Sequence, residues 1–211
     1  MKRAAPSSRS GSKTNDVKRD LSSAQLQAVG AVAIAWNEVE FLLDCMLYSG
    51  LHLSAISWLD IVTRIGLDAK IDLIAAAKET SNISDNISAA IQRSIHALKA
   101  LKDLRHSVIH ARVFDASRGI GENIRRGAKI SQVLLTEQAL NGLYERLAFL
   151  RVEMQQVIAI VDLVRTSGFA VRAPKGADAA AAIPEVKRRL ELLQEFQAKR
   201  LALPGMPAFP T

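Results

Sequence analysis

The chain has 211 residues, 28 Lys or Arg against 21 Asp or Glu, a net charge of +7 and a single cysteine. That length suits one domain with a proper core plus extensions. A lone cysteine excludes an intrachain disulfide and a multi-cysteine metal site, and it fits a reducing, cytoplasmic setting. Aromatics make up 5% of the residues and apolar types 49%, a balance dominated by Ala, Leu, Ile and Val that favours helices over a β-sandwich.

Residues 1–20 read as a disordered basic tail, with Pro6, Gly11, several serines and six basic side chains against two acids. They lack the apolar stretch of a secretory signal. The first helix is expected from Ser22–Ser23 to Ser49, stopped by Gly50. A shorter one runs from Ser54 to Ile65, with Gly66 as its stop, and a third from Asp68 to Thr80. Ser84 opens a long fourth helix to Ile109. Residues 111–114 and 130–135 have the composition of short strands flanking a Gly-containing basic loop, so a β-hairpin is expected there. Thr136 caps a fifth helix to Thr166, ended by Gly168. Pro174 and Gly176 mark a linker, Pro184 opens a last basic helix, Glu185 to Leu201, and Pro204, Pro207 and Pro210 forbid its continuation.

The fold class that follows is an all-α, antiparallel four- to five-helix bundle with a small β-hairpin insert and disordered basic tails. It divides into the tail (1–20), the bundle (21–168), and a linker, short basic helix and Pro-rich tail (169–211). No run reaches the ~18 consecutive apolar residues of a membrane span, so no membrane partner is expected. The positive charge belongs to the ends: residues 21–168 hold fifteen bases and fifteen acids.

Each helical residue turns about 100°. In the first helix Val29, Ala33, Trp36, Leu43 and Leu47 share a face with Glu40 in its middle, and Trp36 is a core residue. Ile34, Phe41 and Cys45 form a second apolar strip nearly opposite, which a partner chain would cover. In the fourth helix Ile87, Ile91, Ser94, Leu98, Leu101 and Ile109 share a face with Arg105. A lone inward charge is costly, so Glu40 and Arg105 are expected to meet, the carboxylate orienting the guanidinium.

The stretch Lys102-Asp103-Leu104-Arg105-His106-Ser107-Val108-Ile109-His110 carries the chemistry. A permanently charged donor fork suits a phosphate, and an imidazole moves a proton near neutral pH. Regular geometry sets Arg105 and His110 about 140° apart, so both reach one phosphate only if the last turn loosens or the site lies in a groove. Directly after it come Arg112, Arg118, Arg125, Arg126 and Lys129 against Asp115 and Glu122, a patch able to attract a polyanion. The bland alternatives are a structural Arg105–Glu40 pair, a helix-terminal His110 favoured by the macrodipole and a solvated basic loop. His106-x3-His110 has metal-ligand spacing but no third ligand stands out, so no metal or other cofactor is expected.

Arg105 to His110 matches the R-x4-6-H signature of HEPN domains, and Leu104 to Ala111 resembles their "LRNxxAHG" stretch. Trp36-Asn37-Glu38-Val39-Glu40, followed by Leu42 and Leu43 on the first helix, also resembles bacterial members. The likeness spans roughly residues 21–168. His106 departs from the commoner Asn or Asp, and Ala111 from the common Gly. The resemblance implies a helical bundle, a homodimer whose two Arg/His pairs line one cleft, and metal-independent RNA cleavage in a stress, defence or toxin–antitoxin setting, with an antitoxin or other protein as partner. Some members are instead non-catalytic binding or scaffold modules. In the catalytic case the RNA 2′-hydroxyl is the nucleophile. His110 moves the proton, Arg105 neutralises phosphoryl charge, and His106 orients His110 or adds a donor. Glu40 and Asp103 support them, and the basic loop holds the RNA backbone.

Overall fold

Two long helices lie side by side and the shorter elements fill in around them. The computed structural model describes residues 20–51, 60, 62–80, 84–125, 129–168 and 178–203. The expected tail through residue 19, residues 54–59 and 61 of the Ser54–Ile65 helix, Arg126, the Pro174–Gly176 linker and the Pro-rich end lie outside the described residues. The elements are α1 (Ser23–Leu51), α2 (Leu67–Thr80), α3 (Asp85–Ile109), β1 (Arg112–Asp115), a 3-10 turn (Ala116–Arg118), β2 (Ile120–Arg125), β3 (Lys129–Leu134), α4 (Glu137–Thr166), α5 (Ala179–Ala182) and α6 (Pro184–Leu201). The protein is thus mostly helical with one small antiparallel sheet.

The helix starts are written locally. Ser22 and Gln25 form a reciprocal cap before α1: the Gln25 amide donates to Ser22 Oγ at 3.1 Å, and the Ser22 amide to Gln25 Oε1 at 2.8 Å. That satisfies two backbone donors which the helix itself leaves unpaired. Thr136 accepts from the Ala139 amide to start α4, and Pro184 occupies the first turn of α6. Ser84 stands at the N-cap of α3 as expected, but its hydroxyl donates to Asn86 Oδ1 at 2.6 Å instead of capping the helix.

Side-chain pairs give the helix directions. Gln25 Nε2 donates to the Leu135 carbonyl, Glu38 pairs with Arg151 at 2.6 Å, and Asp162 acts on Cys45. Chain numbers rise together along α1 and α4, so these two run in the same sense and not antiparallel as expected, because the sheet returns the chain beside the start of α1 before α4 begins. Lys99–Asp72 and Lys102–Asp68 make α2 and α3 antiparallel. Trp36, Val39, Leu43 and Leu47 of α1 enter the main core with Ile87, Leu98 and Leu101 of α3 and Leu147, Leu150 and Val157 of α4. By length and composition alone, Ser23–Ser49 is apolar enough to cross a membrane. Here one side of it is that core.

The opposite strip stays uncovered. Ile34 is 64% and Phe41 60% exposed, with Leu26 and Tyr48 exposed along the same side of α1. A groove beside it is lined by Ile34, Glu38, Phe41, Leu42, Arg151 and Gln155. Cys45, the third residue of the expected strip, is only part-exposed; burial, then the Asp44 and Asp162 carboxylates, push its thiol pKa up.

Two further expectations change. The insert is a three-stranded sheet of order β1-β2-β3, both pairings antiparallel, not a hairpin. The "loop" contains β2, so the two strands expected to flank it pair with β2 and not with each other. Gly119 makes the turn into β2 at φ 61°, where a Cβ would stand 2.7 Å from Thr136 Cγ2. Only glycine fits that turn without strain. The basic C-terminal helix forms where expected, but it belongs to the bundle instead of lying outside it: Val186, Leu190 and Leu193 of α6 are buried in the main core.

Candidate anion-binding site at the end of α3

The last turn of α3 leads straight into β1, and His110 is the hinge between them. It leaves the helix at φ −101°, ψ 8°, its amide still bonded to the His106 carbonyl at 3.1 Å. The Ala111 amide turns back to the Val108 carbonyl, and Arg112 starts the strand. His106 and His110 are both exposed, with ring centroids 4.4 Å apart at an interplanar angle of 46°. A four-residue helical spacing brings these rings to one flank, as expected. Asp103 is exposed one turn earlier.

Arg105 is half-buried and its partner is not the expected one. No ion pair joins Glu40 to Arg105 among the described residues. The indole N–H of Trp36 donates to Glu40 Oε1 at 2.5 Å, one helical turn along α1. The Arg105 guanidinium carbon lies 5.7 Å from the centroid of the same indole, within reach of a cation–π contact. The two inward charges are joined through an aromatic ring instead of to each other. Arg105 Nε is shielded from solvent and has no hydrogen-bond partner among the described residues.

The basic residues divide. Arg112 is exposed on β1, with Glu122 as its cross-strand neighbour in β2. Arg118 is exposed and makes a loose 3.7 Å contact with Asp115, whose carboxylate accepts from Ser117 Oγ and the backbone amides of Ser117 and Arg118. The Ser117 hydrogen bond is the main cause holding the Asp115 carboxyl below the usual range. Arg125 and Lys129 close the β2–β3 pairing in backbone register; their side chains, like Arg126, lie outside the described residues. Among the described residues, no three His, Cys, Asp or Glu side chains gather in a way that could hold a metal ion.

The residue missed at the site is Trp36, read as core packing alone. Its four-residue spacing to Glu40 was a usable signal, since an indole N–H in a core needs an acceptor. A buried network elsewhere was also missed. Arg200 of α6 donates through Nε and Nη2 to Glu153 of α4, Ser94 of α3 donates to the same carboxylate, and Gln197 bonds Ser94, Arg93 and the Ala90 carbonyl.

Comparison with family models, with curated proteins and with solved structures returned no match for this chain.

Proposed function

We propose that this protein is a HEPN-type, metal-independent endoribonuclease, its helices forming a bundle of that family and two copies framing one cleft. The observation that carries the reading is the state of Arg105. Its guanidinium carbon lies 5.7 Å from the centroid of the Trp36 ring with no carboxylate paired to it among the described residues, and the closing turns of the same helix carry two exposed imidazoles. A guanidinium neutralised by a carboxylate would have spent its fork; this one keeps it for phosphoryl oxygens.

In the proposed reaction the RNA 2′-oxygen forms a bond to phosphorus as the bond from phosphorus to the 5′-oxygen breaks. His110 takes the 2′-hydroxyl proton, and His106, its ring neighbour, supplies a proton to the departing 5′-oxygen. Arg105 stabilises the charge that grows on the non-bridging oxygens. The products are a 2′,3′-cyclic phosphate and a 5′-hydroxyl. Arg112 and Arg118, with Arg125, Arg126 and Lys129, hold the RNA backbone, so binding weakens with salt. The exposed Ile34–Phe41 strip of α1 supports the homodimer. A cytoplasmic stress, defence or toxin–antitoxin setting, with an antitoxin or other protein partner, follows from the resemblance.

The test is RNA cleavage by the purified full-length chain in EDTA. Arg105→Ala and His110→Ala are each expected to lose about 10²–10⁴-fold in rate. Equal activity in wild type and both variants would retire the proposal. The second reading, a non-catalytic interaction module, draws on the same α1 strip. It gains if the wild type is inert on RNA while substitutions in that strip change its assembly.

A further inference from the structure

We propose that Trp36 is the positioning residue of the site: its indole, pinned by Glu40, is the floor on which the Arg105 guanidinium lies, which leaves the guanidinium N–H groups free to take a phosphate oxyanion. The ligand half of this statement rests on the nuclease reading above. The stacking half does not.

Three observations combine. Trp36 is almost wholly buried among Val32, Val39 and Leu43 of its own helix and the apolar residues of α3 and α4, so the ring cannot drift. Its N–H is committed to Glu40 Oε1, which fixes the remaining roll of the ring about its long axis. The guanidinium carbon of Arg105 then sits 5.7 Å from the ring centroid. A carboxylate accepting from the indole N–H also makes the ring more electron-rich and a better seat for a cation.

This arrangement solves a problem that a direct ion pair does not. A carboxylate would orient Arg105 by occupying its N–H donors and cancelling its charge. An aromatic face orients the planar group through its π surface and leaves the in-plane donors unspent. Arg105 Nε has no hydrogen-bond partner among the described residues, but solvent hardly reaches it, so the donors open to a ligand are the terminal guanidinium nitrogens. A planar fork with two donors on one edge matches two oxygens of a phosphodiester. Glu40 therefore acts on the site at one remove, and its contribution passes through the indole.

The first measurement reads geometry without any activity. In a nitrogen–proton correlation spectrum the Arg105 Nε–Hε signal, identified by its loss in Arg105→Lys, is expected to be displaced by the indole ring current. Trp36→Leu should return it to the position of an unstacked arginine. Trp36→Phe, which keeps a smaller ring and more of the core volume, should reduce the displacement without abolishing it. Glu40→Leu should shift the signal by removing the acceptor that holds the ring. A wild-type signal at the unstacked position, or one that no Trp36 substitution moves, overturns the inference. The second measurement is cleavage of an RNA oligonucleotide by the same full-length proteins. Trp36→Leu is expected to lose about tenfold or more in kcat, since a small misplacement of a catalytic group is costly. KM should change little and Trp36→Phe should restore much of the loss. Wild-type cleavage by Trp36→Leu beside an inert Arg105→Ala overturns this inference and leaves the nuclease reading standing. Wild-type cleavage by Arg105→Ala ends the nuclease reading, and the spectrum still decides the stacking.

Discussion

Glu153 and Arg200 are 0% and 1% exposed, and they face each other across α4 and α6 at 2.5 Å. A buried pair of this kind is costly to break and need not be stabilising as a whole, because each ion surrenders its hydration. Glu153→Ala should therefore destabilise by about 3–5 kcal/mol, since it strands a buried guanidinium, while Glu153→Leu with Arg200→Met should recover most of that loss. Urea denaturation of the three proteins decides it; a double variant as unstable as the single one would show that the pair itself carries α6. Burial raises the Glu153 carboxyl pKa, against the opposing hydrogen bond and charge of Arg200 and the hydrogen bond from Ser94. A raised folded pKa means the fold holds the proton more tightly than the unfolded chain does. Its contribution is present below the unfolded value of 4.5 and is lost as pH rises through the folded one. The stability of wild type relative to Glu153→Gln should thus fall as pH rises above 4.5. A pH-independent difference would contradict that assignment.

At the scale of elements, what the sequence discloses depends on how local the determinant is. Caps and apolar periods act within a few residues, and α1, α3 and α4 lie within a residue or two of where Ser22, Ser84 and Thr136 put them. β2 was not legible because Gly121, Glu122 and Asn123 are poor strand formers; the strand exists because β1 and β3 give it two partners. α6 shows the same limit. Val186, Leu190, Leu193, Gln197 and Arg200 form one stripe at alternating spacings of four and three, but two of the five are polar. They are buried because Glu153 and Ser94 arrive from distant segments. For Arg105 and Glu40, sequence reasoning found that both charges face inward and missed the ring between them. The α1 strip is legible at both levels, apolar in sequence and uncovered in the structure. If a second copy covers it, Ile34→Lys or Phe41→Glu should shift the protein from dimer to monomer in analytical ultracentrifugation at micromolar concentration while helical content stays constant. A wild-type monomer, or variants that sediment like a wild-type dimer, would remove the strip from the assembly.

Over the whole molecule, charge and chemistry divide unevenly. Residues 21–168 carry balanced charge, and α6 offsets part of its own: Arg188 and Arg189 pair with Glu185, and Lys199 with Glu195. Of the exposed bases that follow His110 in the chain, Arg112 lies on β1 and Arg118 in the 3-10 turn after it. The chain therefore sets its guanidinium and imidazoles where a rigid helix gives way to a basic sheet, a place suited to gripping a backbone while one bond is broken. The most direct test of that account uses one RNA oligonucleotide and a copy carrying a single 2′-deoxynucleotide at the cut position, both incubated with the full-length protein in EDTA. The account predicts that the all-ribose strand is cut to a 2′,3′-cyclic phosphate end, that the deoxy position resists, and that Arg105→Ala cuts neither. Cleavage that ignores the missing 2′-hydroxyl, or no cleavage of either strand, would contradict it.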